Sequence, residues 1–230
     1  IRSFTPTGDE VFGVGHNALG VWWWLAETGQ LGERTSFVQQ LGDELLPVSI
    51  GRENGRATVS LAQAMPRHIG DVGDLQALAE ALGLDKTEPA LGPQEAVVVS
   101  TGAAHMLVRL VSRDEVDRAE PDASMLLPLL ERAGAQGCYV FTTSGEKSGE
   151  AYARFFNPTV GIREDPATGS AAGPLGWLLA NRSGAGGQET FTVVQGVSMG
   201  RESHIRLLVC PDAVELTGSA VLTATGQLHL

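Results

Sequence analysis

The chain is poor in cysteine: Cys138 and Cys210 are the only two in 230 residues. Two thiols cannot build a disulfide framework or a cysteine-rich zinc site, and the expected setting is reduced and intracellular, the cytoplasm. Long apolar runs are also lacking. No stretch approaches the ~20 residues that a membrane helix requires, and none has the pattern of a signal peptide. Basic charge is scarce, with 16 Lys and Arg against 27 Asp and Glu for a net charge of −11. Neither nucleic acid nor an anionic membrane is therefore an expected partner. A small anionic substrate stays open, because backbone N–H groups bind a carboxylate whatever distant side chains do. The five histidines (His16, His68, His105, His204 and His229) show no metal-ligand spacing. What remains, 43% hydrophobic and 19% charged residues, is the composition of a folded globular chain.

The chain repeats itself. Residues 1–7 read IRSFTPT and residues 153–159 read ARFFNPT, so Arg, Phe, Pro and Thr recur in step. Shortly after each, GHNALGVWWWLAE (Gly15 to Glu27) meets GSAAGPLGWLLAN (Gly169 to Asn181). Each copy reads as strand, polar turn, glycine and apolar helix. Such a duplication predicts two similar units facing each other across a shared cleft. The second copy has a long lead-in that includes GCYVFTT (Gly137 to Thr143), whereas only Ile1 precedes Arg2. If the units are alike, roughly 50 residues of the first lie upstream of Ile1.

The helix over residues 17–29 has no polar face, since three consecutive tryptophans span most of a turn. A helix apolar all round must be surrounded by other structure. Its counterpart at 171–180 is equally apolar. Strands are expected at 36–40, 57–62, 96–100, 106–111, 138–142, 191–195, 205–210 and 220–225. Amphipathic outer helices are expected at 71–83, ended by Gly83, and at 122–134. The Pro- and Gly-rich segment 86–95 reads as a crossover. The expected lobes are thus 1–93, completed by 218–230, and 94–217, each a sheet around a central helix.

Both duplicated turns place a glycine directly before a helix. Free N–H groups in a first helical turn, together with the helix dipole, attract an anion. The side chains there are His16 and Asn17 in the first copy, and Asp165, Thr168 and Ser170 in the second. Taken singly, Thr168 and Ser170 can be plain N-caps and Asp165-Pro166 a plain turn. Their convergence at equivalent points of a repeat marks a candidate site. Other motifs fare worse. Gly13 to Ala18 matches G-x-G-x-x-A, but the preceding PTGDEVF is polar and short where a dinucleotide site needs a buried strand. Gly145 to Ser148 lacks the upstream glycine of a phosphate loop and reads as a hairpin turn. Ser170 is not in a G-x-S-x-G elbow.

At these residues the chain resembles the phenazine biosynthesis PhzF-like family, which shares its fold with diaminopimelate epimerase. The resemblance rests on Arg2-x-Phe4-Thr5-Pro6 with Gly15-His16, on the specific string Glu164-Asp165-Pro166-Ala167-Thr168-Gly169-Ser170-Ala171, and on Gln195-Gly196 leading to Gly200-Arg201. It implies an α+β fold of two pseudo-symmetric lobes, each a curved, mostly antiparallel sheet around a central helix. It also implies an isomerase that uses no cofactor and pairs into a homodimer. By the same resemblance His16, Asp165 and Ser170 are expected to be catalytic, with Gly15, Asn17, Thr168, Gly169 and Ala171 binding substrate. The epimerase relatives use one cysteine from each lobe. Neither Cys138 nor Cys210 falls at a helix-start turn, so a two-thiol racemase is disfavoured. In the family the principal proton shuttle is a glutamate ahead of the segment matching Arg2, and no Glu of this sequence matches it. The two expectations that follow are an isomerase acting on a small carboxylate-bearing metabolite, and a non-catalytic binding protein of the same ancestry.

Overall fold

The structure, a computed structural model, describes residues 3–4, 10–11, 15–41, 44–84, 93–184, 186–211 and 213–227. Its contacts group the chain into two units, residues 1–62 with 217–230 and residues 63–216. Arg2, Thr5, Pro6, the Gly13–Val14 part of the dinucleotide-like motif and residues 86–92 of the expected crossover lie outside the described residues.

In the first unit, β1 (Ser3–Phe4) and β2 (Glu10–Val11) form a short antiparallel pair. Helix α1 (Gly15–Glu27) follows, and then the meander β3 (Ser36–Leu41), β4 (Glu44–Glu53) and β5 (Arg56–Ala62). Asn54 and Gly55, both at positive φ, close the β4–β5 hairpin with the backbone twist that antiparallel strands favour. The three tryptophans have three different fates. Trp23 is buried, and Trp22 stacks near Phe37 while donating to Gln39 Oε1 at 3.1 Å. Trp24 is 43% exposed.

In the second unit the strands are β6 (Arg67–Asp71), β7 (Glu95–Ser100), β8 (Ala104–Arg109), β9 (Gly137–Thr142), β10 (Glu150–Asn157), β12 (Glu189–Gln195), β13 (Ser203–Cys210) and β14 (Ala213–Gly218), neighbours in that order. A short β11 (Ile162–Asp165) pairs with β10 off this path. Only β8–β9 and β10–β12 are parallel among the pairings described. The two-residue period of the strands sorts side chains between two cores. Met106, Val108, Cys138, Val140, Tyr152 and Phe156 meet helices α2 (Leu75–Ala81) and α4 (Ala123–Ala133) on one face. The other face wraps the central helix α5 (Gly169–Ser183). Asp122 caps α4 by accepting from the Ser124 amide, and Gly134 ends it in the left-handed region.

Two expectations change. The second unit begins at Gln63 rather than at 94, because β6 pairs with β7 and Leu78, Ala81 and Leu82 sink into the core around α4. Among the described residues the last strand is β14, not 220–225: Val214 and Leu216 alternate inward, whereas Val221 and Leu222 are exposed in a stretch without regular structure. The turn at 145–148 does join an antiparallel hairpin, β9–β10. The short helix α3 (Arg113–Arg118), capped by Ser112, was not foreseen. No helix among the described residues is long and apolar enough to cross a membrane.

Candidate functional site

The start of α5 is held by a chain of buried polar contacts that begins at an arginine. Arg154 on β10 is 8% exposed and makes a bidentate pair with Glu164 on β11, Nε to Oε1 and Nη2 to Oε2, each at 2.9 Å. Its Nη1 donates to the carbonyls of Val116, Asp117 and Ala119 at the C-terminal end of α3. This clamps β11 against β10, with Asp165 opposite Phe155. The recurring arginine of the repeat is therefore a structural tie in the second unit, set immediately before the Glu164-Asp165 step.

Asp165 is half-buried at the end of β11. Its Oδ2 accepts the hydroxyl hydrogen bond of Thr168. Thr168 is the N-cap residue of α5, but its side chain makes no capping bond. Gln195, wholly buried at the end of β12, completes the arrangement. Its Nε2 donates to the Asp165 carbonyl at 2.6 Å and to Thr168 Oγ1 at 3.0 Å. Its Oε1 accepts from the Thr168 amide at 3.2 Å and from the Tyr139 hydroxyl at 2.7 Å. Burial, and then the Asp165 charge, push the Tyr139 phenol well above its ordinary pKa, so it remains a donor. Gly196 allows this approach: at φ +80° it lies so close to the Pro166 and Arg201 carbonyls that a Cβ would strike both. The Gln195-Gly196 signature thus has a physical reason.

Because Thr168 turns to Asp165, no side chain of its own caps the helix. The amides of Gly169 and Ser170 have no carbonyl to reach within α5, and among the described residues neither has a partner. The next two amides, of Ala171 and Ala172, donate to the Thr168 carbonyl at 3.1 and 3.0 Å. Ala171 is fully buried, so Gly169 and Ser170 are the amides the turn can offer a ligand. Gln63 braces the turn from the far side, donating to the Gly169 carbonyl at 2.8 Å while accepting from Thr101 Oγ1 at 2.7 Å. Half-buried Ser170 places its Oγ 3.1 Å from Nε2 of His105, a contact that sequence reading missed.

The second unit therefore brings together Asp165, Thr168, Gly169 and Ser170. Gly15, His16 and Asn17 belong to the first unit, where they open α1; His16 and Asn17 are exposed. Cys138 is buried in β9, and burial raises its thiol pKa to about 12, which keeps it protonated and unreactive. Gln195 was read only as part of the Gln195-Gly196 signature, and Gln63 and His105 were not read as site residues, because each is a single polar residue in an apolar strand or loop. The available signal was a polar residue at an inward position of a strand such as VVQG or AHMLVR.

The family profile described as "Phenazine biosynthesis-like protein" matches residues 1–226. The chain belongs to this PhzC-PhzF family. An uncharacterized isomerase of Clostridium acetobutylicum is 30% identical over 242 residues, spanning 100% of this chain and 79% of the relative. The trans-2,3-dihydro-3-hydroxyanthranilate isomerase of Pseudomonas aeruginosa is likewise 30% identical, across 100% of this chain and 79% of its own length. Among solved structures, a PhzF-family protein of Bacillus anthracis superposes with a TM-score of 0.81 at 25% identity, covering 95% of this chain and 76% of that one. A hydroxyproline epimerase of Agrobacterium vitis, 13% identical at a TM-score of 0.61 over 94% of this chain and 65% of that one, shares the fold alone. The PhzF-like α+β fold is thus established, and both curated relatives are named as isomerases.

Proposed function

We propose that this PhzF-family chain is a cofactor-independent isomerase that moves a proton between two positions of a small carboxylate-bearing metabolite. The observation that carries the reading is the α5 start, where two unpartnered amides, a hydroxyl and a carboxylate lie within one turn. A base takes a proton from a carbon next to an unsaturated or carbonyl group. The electron pair of that C–H bond passes into the conjugated system, and a proton returns to another atom of the same molecule. Substrate and product have the same composition and oxidation level, so the step calls for no redox partner. Asp165, one oxygen of which is held by Thr168, gives or takes a proton with the other. The amides of Gly169 and Ser170 and the Ser170 hydroxyl stabilise the negative charge that develops.

The molecule named for the P. aeruginosa relative carries a carboxylate beside a conjugated ring and is the first substrate to try. In D2O, the chain should introduce deuterium at one carbon of trans-2,3-dihydro-3-hydroxyanthranilate, followed by proton NMR. Asp165→Asn should slow this by about 10²–10⁴-fold, the usual worth of one assisted proton transfer, with an unchanged melting temperature. An Asp165→Asn protein with the full rate would overturn the assignment. Tight binding with no exchange in the unsubstituted chain would favour the non-catalytic alternative.

A further inference from the structure

His105 is an imidazole in the middle of an apolar strand, and the network around Asp165 does not use it. It lies on β8, 3% exposed, on the face that wraps α5, with its ring edge-on to Phe155 at 5.0 Å and 89°. Its Nε2 is 3.1 Å from Ser170 Oγ, and its Nδ1 is buried with no hydrogen-bond partner among the described residues. We propose that His105 is a positioning residue for Ser170: its Nε2–H donates to Ser170 Oγ, leaving the serine proton to be donated to the substrate.

The number of donors decides the tautomer. A neutral imidazole has one N–H, and a serine hydroxyl has one O–H. Burial pushes the His105 pKa down to about 4, so the ring is neutral near pH 7 and is not itself the acid. If Nδ1 carried the proton, that N–H would be buried unpaired, a situation rarer in proteins than an unfilled acceptor. Nε2 would then also take the Ser170 proton, and the side chain could offer nothing to an anion. With the proton on Nε2, the only unmet group is the Nδ1 lone pair, and Ser170 stays a donor. Accepting one hydrogen bond polarises the serine O–H and strengthens the one it donates, by roughly 10–30%. Ser170 thereby matches the two amides beside it as a third fixed donor.

This inference rests on the proposed role of the α5 start, so its test has two separable readouts. Long-range 15N–1H NMR of the labelled chain should show His105 as the Nε2–H tautomer from pH 5.5 to 8, with a resonance that moves in Ser170→Ala. An Nδ1–H tautomer, or no response to Ser170→Ala, would overturn the proposal. In a titration with anthranilate, a stable aromatic carboxylate, His105→Leu should weaken binding about tenfold, the loss of one hydrogen bond to a charged group. His105→Gln, which keeps a donor, should stay within about threefold, and in a Ser170→Ala background His105→Leu should add less than about twofold. Equal losses in both backgrounds would mark a merely structural residue and overturn the proposal. Failure of the unsubstituted chain to bind anthranilate would count against the site reading, while the tautomer would still decide the role of His105.

Discussion

Helix α5 buries Ala171 to Gly176 and Leu178, whereas α1, from the same repeat, buries only Ala18, Leu19, Trp23 and Ala26. The two helices also differ in their small residues. Around α5 the wrapping strands approach closely because glycine leaves room. A Cβ at Gly169 would meet Leu216, one at Gly173 would meet the Gln63 amide, and one at Gly176 would meet Leu207. Gly20 in α1 has open space where a Cβ would stand, and its neighbour Trp24 is exposed. Close packing brings polar groups with it: buried Gln195, Thr168 and His105 and half-buried Gln63 all serve the α5 start. A tightly wrapped helix can hold its first turn in one geometry, and a functional site needs that rigidity.

The contrast can be broken most forcefully at the arginines. Arg154→Met should cost about 3–5 kcal/mol, because it strands the mostly buried Glu164 and takes a donor from three carbonyls. Arg52→Met in the first unit should cost under about 1 kcal/mol, since Arg52 is 56% exposed and 3.7 Å from Glu27. Urea unfolding of both variants measures the gap, and equal costs would erase the distinction.

Acid should single out the α5 region next. His105 takes up a proton near pH 4 when folded but near its ordinary 6.5 when unfolded. Between those values the unfolded chain binds the extra proton, so stability falls as pH falls, by about 1.4 kcal/mol per unit from this residue alone. The slope should flatten in His105→Leu when urea midpoints are compared from pH 7 to 4.5. An unchanged slope would mean that the ring titrates normally.

The glycines sharpen the comparison with smaller effects. Gly173→Ala pushes into the Gln63 amide and should destabilise by about 1–3 kcal/mol. Gly20→Ala should stabilise by about 0.5–1 kcal/mol, because nothing stands in the way of the methyl group and the unfolded chain loses freedom. Calorimetric melting of the pair should therefore give shifts of opposite sign. Two downward shifts would show that α1 is as crowded as α5.

Much of this was readable from residue order because the repeat brackets two helices with the same turn. The outer helix at 122–134 matched α4 closely, since Asp122 and Gly134 are caps whose chemistry is local. The lobe boundary was not readable. Whether β6 and α2 join the segment before or after them depends on long-range pairing with β7 and α4, and no local signal carries that. The terminal strand was misplaced for a similar reason: AVELTG and AVLTAT have equal strand character, and burial alone separates them. At the site, Asp165 and Ser170 stood out because they flank a glycine at a helix start. Their supports did not, because Gln195 and His105 come from strands distant in sequence, and only folding shows that their side chains meet the turn.

The proposed site turns on the two amides at the head of α5. A 1H–15N titration of the chain with anthranilate reads them individually. Saturable binding with the largest shifts at Gly169 and Ser170, lost in Ser170→Pro, is the predicted result. Saturable binding that leaves both resonances unmoved, or no binding at all, would contradict it.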